Sequence, residues 1–278
     1  MKCLHDIHPI VLAVYFVSVL LIIMFSTHPM ILFIALFCGI AFEIRVEGSR
    51  AVLKKSPYYV LLFIIITITN PLFSHKGRTP LLFINGNPIT LEALCYGADL
   101  AILLLAVLCW FQCLNRIMTT DKLLFLFGKL SPKLALVLST ALRFIPLFQM
   151  QAKKIRQAQK AMGLYATESI PDKIRGTLRV FSSLITWALE NAIDTGDSMK
   201  ARGYGLKGRS HFALFRFTYV DGILLILILI LDGIVLSVMA MGKLDFTFYP
   251  AMLGLEMEVV SIVAVLAFGI LTVLHIVI

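Results

Sequence analysis

Arg202 is the residue best placed to make a specific charged contact, because it stands in Ala201-Arg202-Gly203, where a long amphipathic run stops. The C-terminal end of a helix presents unpaired carbonyls and the negative end of the dipole. A cation is favoured there, and a glycine lets the chain turn away without bulk. Such a tip can enter a groove on a soluble partner, with the guanidinium making a forked bond to a carboxylate. The alternative is that Arg202 caps its own helix. Ala161-Met162-Gly163 stands 40 residues earlier and closes another long amphipathic run. Asp99, Asp221 and Asp232 fall in or near apolar stretches, where an ionisable group marks either a polar contact between helices or a partner-binding position. Asp221 and Asp232 are eleven residues apart, about three turns, which puts them on one helix face.

Other chemistry is poorly supplied. His5 and His8 have a spacing that could bind a metal, but no third ligand is near. The five cysteines, Cys3, Cys38, Cys95, Cys109 and Cys113, include no CxxC pair and read as buried thiols, with Cys109 and Cys113 on one face. There is no P-loop lysine motif, no H-E-x-x-H and no G-x-S-x-G. The expectation is a protein that is not an enzyme and holds no cofactor or metal.

The elements that carry these residues are set by hydropathy. Of 278 residues 59% are hydrophobic and 15% charged, and the mean hydropathy of +0.92 means that lipid is part of the solvent. A net charge of +9 without a basic face interleaved with stacking residues argues against nucleic acid. A hydrocarbon core about 30 Å thick needs about 20 apolar residues. Six stretches qualify: Pro9 to Phe25, Pro29 to Ile44, Pro57 to Phe73, Thr90 to Gln112, Leu214 to Met241 and Pro250 to Ile278. The first has a Lys2 and an apolar core like a signal peptide, but no small-x-small site follows, so it is expected to stay as a membrane helix.

Positive loops stay in the cytoplasm. Arg45, Arg50, Lys54 and Lys55 therefore face inward, the Ser74 to Asn87 loop faces outward, and both termini lie inside. Asn115 to Arg216 holds 17 of the 25 Lys and Arg against 6 of the 16 Asp and Glu, and is cytoplasmic. It reads as too polar to span, yet it has helical periodicity, first over Asp121 to Leu130 and then from Ser131-Pro132 onward. Pro146 divides an apolar, membrane-lying half from a basic half and should kink that second helix. A third begins at Ser169, capped through Asp172, with Ile174, Leu178, Phe181, Ile185, Ala188, Ala192 and Met199 along one face. Ser182, Ala188, Ala192 and Gly196 would let another helix cross closely. The fold class is an all-α integral membrane protein. Residues 1–113 hold about four membrane helices, residues 114–213 the amphipathic cytoplasmic helices, and residues 214–278 about two more membrane helices.

The chain resembles the transmembrane T component of energy-coupling factor transporters, the family of cobalt-transport permease-like proteins. The matching stretches are Asn70-Pro71-Leu72-Phe73-Ser74-His75, Ile89-Thr90-Leu91-Glu92-Ala93, Met118-Thr119-Thr120-Asp121-Lys122, Leu142-Arg143-Phe144-Ile145-Pro146 and Met199-Lys200-Ala201-Arg202-Gly203-Tyr204. The resemblance implies that two cytoplasmic coupling helices, ending in Ala-Arg-Gly-type motifs, dock into grooves of two ATP-binding cassette ATPase subunits. A separate small membrane subunit binds the vitamin or transition metal to be imported. Ala161-Met162-Gly163 departs from the pattern, since methionine stands where arginine is expected. A stand-alone secondary ion carrier using Asp99, Asp221 and Asp232 is the rival reading, and it leaves the cytoplasmic helices unexplained.

Overall fold

The computed structural model describes residues 7–74, 77–84, 87–163, 170–206, 215–249 and 258–277. The elements run α1 Pro9–Phe25, α2 Pro29–Glu47, α3 Ser49–Phe73, β1 Pro80–Ile84, β2 Asn87–Thr90, α4 Leu91–Ile117, α5 Thr120–Leu130, α6 Pro132–Ala161, α7 Ile170–Ala201, α8 Tyr219–Ala240 and α9 Val259–Val277. The chain divides into two compact units, Met1–Leu123 with Phe215–Ile278, and Leu124–Leu214.

In the first unit α4 packs on α1, α2 and α3, while α8 and α9 pair with each other and reach α1 and α2 respectively. The centre is aromatic. Phe16, Phe42 and Trp110 are fully buried, with Phe16 stacked on Phe42 at 6.0 Å and Trp110 edge-on to Phe42 at 5.7 Å. The indole N–H donates to the Ala35 carbonyl at 2.9 Å, so its one polar group is satisfied. Gly39 makes this approach feasible, because a Cβ there would lie 3.0 Å from the indole nitrogen. His8 and His28 each sit just before a helix-initiating proline and accept the N–H two residues on, from Ile10 and Met30, both at 3.3 Å. That satisfies a donor the helix leaves unpaired.

By length and composition five described helices can cross a membrane: α2, α3, α4, the Lys133–Ala161 part of α6, and α8. α1 and the Val259–Leu274 part of α9 are apolar but shorter. The central segment reads from its sequence as too polar to span, and the Lys133–Ala161 part of α6 nevertheless meets the measure of length and composition. Its half before Pro146 is apolar enough to offset the basic half that follows.

Several boundaries also move. α3 begins at Ser49, not Pro57, and contains Pro57, and α4 runs on to Ile117. The stretch taken as a plain loop after Ser74 holds an antiparallel hairpin, with Ile84 opposite Asn87 and Pro80 opposite Thr90. Ser169, His5, Cys3 and the first residues of the sixth predicted span lie outside the described residues. Cys109 and Cys113 are buried as expected, but Cys38 and Cys95 are only half-buried.

In the second unit α6 and α7 pack together. Phe148 meets Trp187 edge-on at 5.7 Å, and Phe144 stacks on Phe148 at 5.8 Å. Gly196 does not mark this crossing among the described residues, since a Cβ added there would meet nothing within 4 Å. Along α7 Ile174, Leu178, Phe181 and Ile185 are all exposed among the described residues.

Candidate partner-docking helix tips

Both expected tips end on a C-cap residue followed by a glycine with positive φ. At the end of α7 the Gly203 N–H donates to the Lys200 carbonyl at 2.9 Å and the Tyr204 N–H to the Met199 carbonyl at 2.9 Å. This double closure is the Schellman arrangement, with Arg202 at the C-cap and Gly203, φ +81°, just beyond it. At the end of α6 the Gly163 N–H donates to the Lys160 carbonyl at 3.0 Å, Met162 is the C-cap, and Gly163 has φ +74°. Met162 and Arg202 thus occupy equivalent backbone positions, and Ala161 and Ala201 both close the last helical turn.

The side chains at the tips point outward. Ala161, Met162, Ala201 and Arg202 are exposed. Arg202 has no ion pair or side-chain hydrogen bond among the described residues, which leaves its guanidinium to the solvent or a partner. Nearby, Lys200 pairs with Asp197 at 3.6 Å on an exposed surface. A shallow polar pocket beside this tip is lined by Arg143 of α6 and by Asp194, Ser198 and Arg202 of α7 among others. The later part of α7 therefore runs beside the earlier part of α6, and the helices are antiparallel. Counted from the Phe148–Trp187 crossing, each tip projects by roughly 20 Å at 1.5 Å per residue, on opposite sides. Pro146 lies two residues before that crossing and inside a continuous α6.

The three acids separate by environment. Asp221 is committed to structure. Its Oδ2 accepts the Thr218 N–H at 2.9 Å and the Thr218 hydroxyl at 2.6 Å, and its Oδ1 takes the His8 N–H at 3.4 Å. It is the acidic half of a capping box at the start of α8. Asp99 and Asp232 are buried in α4 and α8, each with one carboxyl oxygen that has no hydrogen-bond partner among the described residues. Among the described residues no group of three metal-ligating side chains exists, His8 included.

One cluster was not foreseen. The Lys55 Nζ of α3 donates to Glu43 at 3.1 Å and Glu47 at 2.6 Å on α2, and to the Gln112 side-chain oxygen on α4 at 2.6 Å. The Tyr59 hydroxyl donates to Glu43, whose oxygens lie 3.0 and 3.1 Å away. The cluster ties three helices together at the end of the bundle from which α4 leads into α5. Glu43 and Glu47, four apart and followed by Lys55, were the available signal.

Comparison with known proteins gives concordant results. The family model described as cobalt transport protein, CbiQ, matches residues 2–212. The energy-coupling factor transporter transmembrane protein EcfT of Listeria innocua is 32% identical over 189 residues, covering 63% of this chain and 71% of that protein. The EcfT of Bacillus selenitireducens is 25% identical over 240 residues, covering 81% and 89%. That of Brevibacillus brevis is 28% identical over 197 residues, covering 66% and 74%.

Proposed function

The chain belongs to the CbiQ family of cobalt transport proteins, and on that premise we propose that it carries the motion of two ATPase subunits to a small substrate-binding membrane subunit through the tips of α6 and α7. It is the transmembrane component of an energy-coupling factor transporter and a multi-pass protein of the cell membrane. Residues 1–113 and 214–278 form the membrane part, and residues 114–213 form the cytoplasmic coupling part with Pro146 as its hinge. The cargo class is a vitamin or a transition metal. ATP hydrolysis belongs to the partners, and this chain contributes no catalytic residue.

The observation that carries the reading is the shared C-cap geometry of Met162 and Arg202 on two antiparallel arms of similar length. Two projecting tips suit two ATPases that move relative to each other. The ion-carrier alternative is weakened because Asp221 is spent on a helix cap.

Co-purification with the ATPases tests it. Removing one partner from a buried charge pair costs about 2 to 5 kcal/mol, and trimming a methionine at a contact about 1 to 3. Arg202→Ala should therefore weaken ATPase assembly more than Met162→Ala does. Equal losses would show that the arginine is not the anchor, and no association of the unsubstituted chain with ATPases would end the reading.

A further inference from the structure

The hairpin between α3 and α4 is held too firmly to be an ordinary connection. Its base is fixed by Glu92, a buried residue in the first turn of α4. One carboxyl oxygen accepts the Arg78 N–H at 3.2 Å, and the other accepts the Thr79 N–H at 3.4 Å and the Thr79 hydroxyl at 2.8 Å. The Leu91 N–H returns to the Thr79 carbonyl at 3.1 Å. Gly77 fits only as glycine, with φ +144° and an added Cβ 2.6 Å from Glu92 and Thr90. Asn70 near the end of α3 donates to the Ala93 carbonyl at 2.7 Å, which locks the two helix ends together.

What this frame displays is apolar. On β1, Leu81, at a bulge between Pro80 and Leu82, is 53% exposed and Phe83 is 70% exposed. Phe73 at the end of α3 is 84% exposed, next to an exposed Leu72. A flexible loop would fold such side chains inward, but a pinned hairpin leaves them outside, where exposed apolar area is unfavourable in water. Two features say what covers them. The set continues the exposed apolar surface of α3, which runs through Leu61, Ile64, Ile65 and Ile68 and faces lipid in a membrane-spanning helix. Arg78, exposed at the hairpin base, supplies a cation to the phosphates of that same lipid surface. Aromatic and aliphatic side chains beside a cation match the headgroup boundary, where the chemistry changes from apolar to charged.

We propose that the Pro80–Thr90 hairpin is an interfacial anchor that seats Phe73, Leu81 and Phe83 in the leaflet opposite the Arg45 to Lys55 end. It would hold the far ends of α3 and α4 at fixed depth. The inference rests on membrane insertion and not on the docking reading. The test is spin labelling of the full-length protein in vesicles of phosphatidylcholine with phosphatidylglycerol. Nitroxides are placed at Phe83→Cys and, separately, Leu81→Cys, with the unsubstituted protein treated alike to subtract native thiols. At both positions collisions with oxygen should exceed collisions with a water-soluble nickel complex, giving a depth parameter in the headgroup to acyl range. Collision with the nickel complex in excess of oxygen would place the hairpin in water and overturn the proposal. Exclusion of both reagents would mean that protein covers it, and would overturn it equally.

Discussion

Replacing Lys55 by methionine would keep most of the side-chain volume and remove the charge that neutralises Glu43. Glu43 is 1% exposed, so its carboxylate would be left with uncharged partners, the Tyr59 hydroxyl and the Cys109 thiol. Breaking a buried ion pair from one side costs about 3 to 5 kcal/mol. The Lys55 side chain is 35% exposed and Glu47 21%, which admits water and lowers the expected loss to about 2 to 3 kcal/mol. For a domain of this size about 1 kcal/mol moves the midpoint by roughly 2 to 4 °C. The apparent unfolding midpoint in detergent, measured at one heating rate, should therefore fall by roughly 5 to 10 °C. Lys243→Met is the control. That lysine bridges Glu258 with side chains 38% and 64% exposed, and its loss should cost under about 1 kcal/mol. The double variant Lys55→Met with Glu43→Gln should lose less than the sum of the single changes, because the amide removes the stranded charge. Additive losses, or equal losses from Lys55→Met and Lys243→Met, would refute the assignment of Glu43 as the buried charge that Lys55 serves.

Further outcomes are expected elsewhere. Gly203→Ala puts a side chain at φ +81° with its Cβ 3.1 Å from Leu206, a strain of about 1 to 2 kcal/mol, whereas Gly163→Ala has strain but no such contact among the described residues. Titrating ATPase binding should show the larger loss at Gly203. Pro146→Ala should leave the complex assembled and ATP hydrolysis intact while uptake per ATP falls in reconstituted vesicles, and unchanged uptake per ATP would remove Pro146 from the lever. Burial holds the His28 pKa below its ordinary value of 6.5, and its Nδ1 accepts the Met30 N–H. With the folded pKa below the unfolded one, its contribution is present above about pH 6.5 and lost as pH falls through the lower folded value. Thermal midpoints measured from pH 7.5 downward should drop, and His28→Asn, which keeps an acceptor that does not titrate, should flatten that drop.

Hydropathy made the membrane helices legible, and the errors came where polar residues are satisfied inside the fold. Lys54 and Lys55 read as loop and pushed the start of α3 to Pro57, yet Lys55 is held by Glu43, Glu47 and Gln112 and the helix begins at Ser49. The pairing spans two helices, so no local window sees it. The hairpin was missed for a different reason: its strands are too short for a span-length average, although Asn85-Gly86 between apolar runs is a strong short-range turn signal. Asp221 looked like a membrane acid because the predicted stretch began at Leu214 and so took in Thr218, its capping partner, whereas α8 begins at Tyr219. The two tips were legible in sequence because a glycine ending a periodic run has one dominant physical use.

The equivalence of the tips also separates backbone from side chain in the docking reading. Because Met162 and Arg202 share the C-cap position, two ATPase grooves that took these tips would receive the same helix end carrying different chemistry. A groove that presents a carboxylate to Arg202 gains a charge-assisted bond. The same carboxylate facing Met162 would be desolvated without a counter-charge, at a cost comparable to breaking a pair. On this reading the two ATPases are not interchangeable at the tip. The subunit meeting α6 should offer an apolar lining where its counterpart offers an acid, because a thioether contributes through packing and polarisability alone.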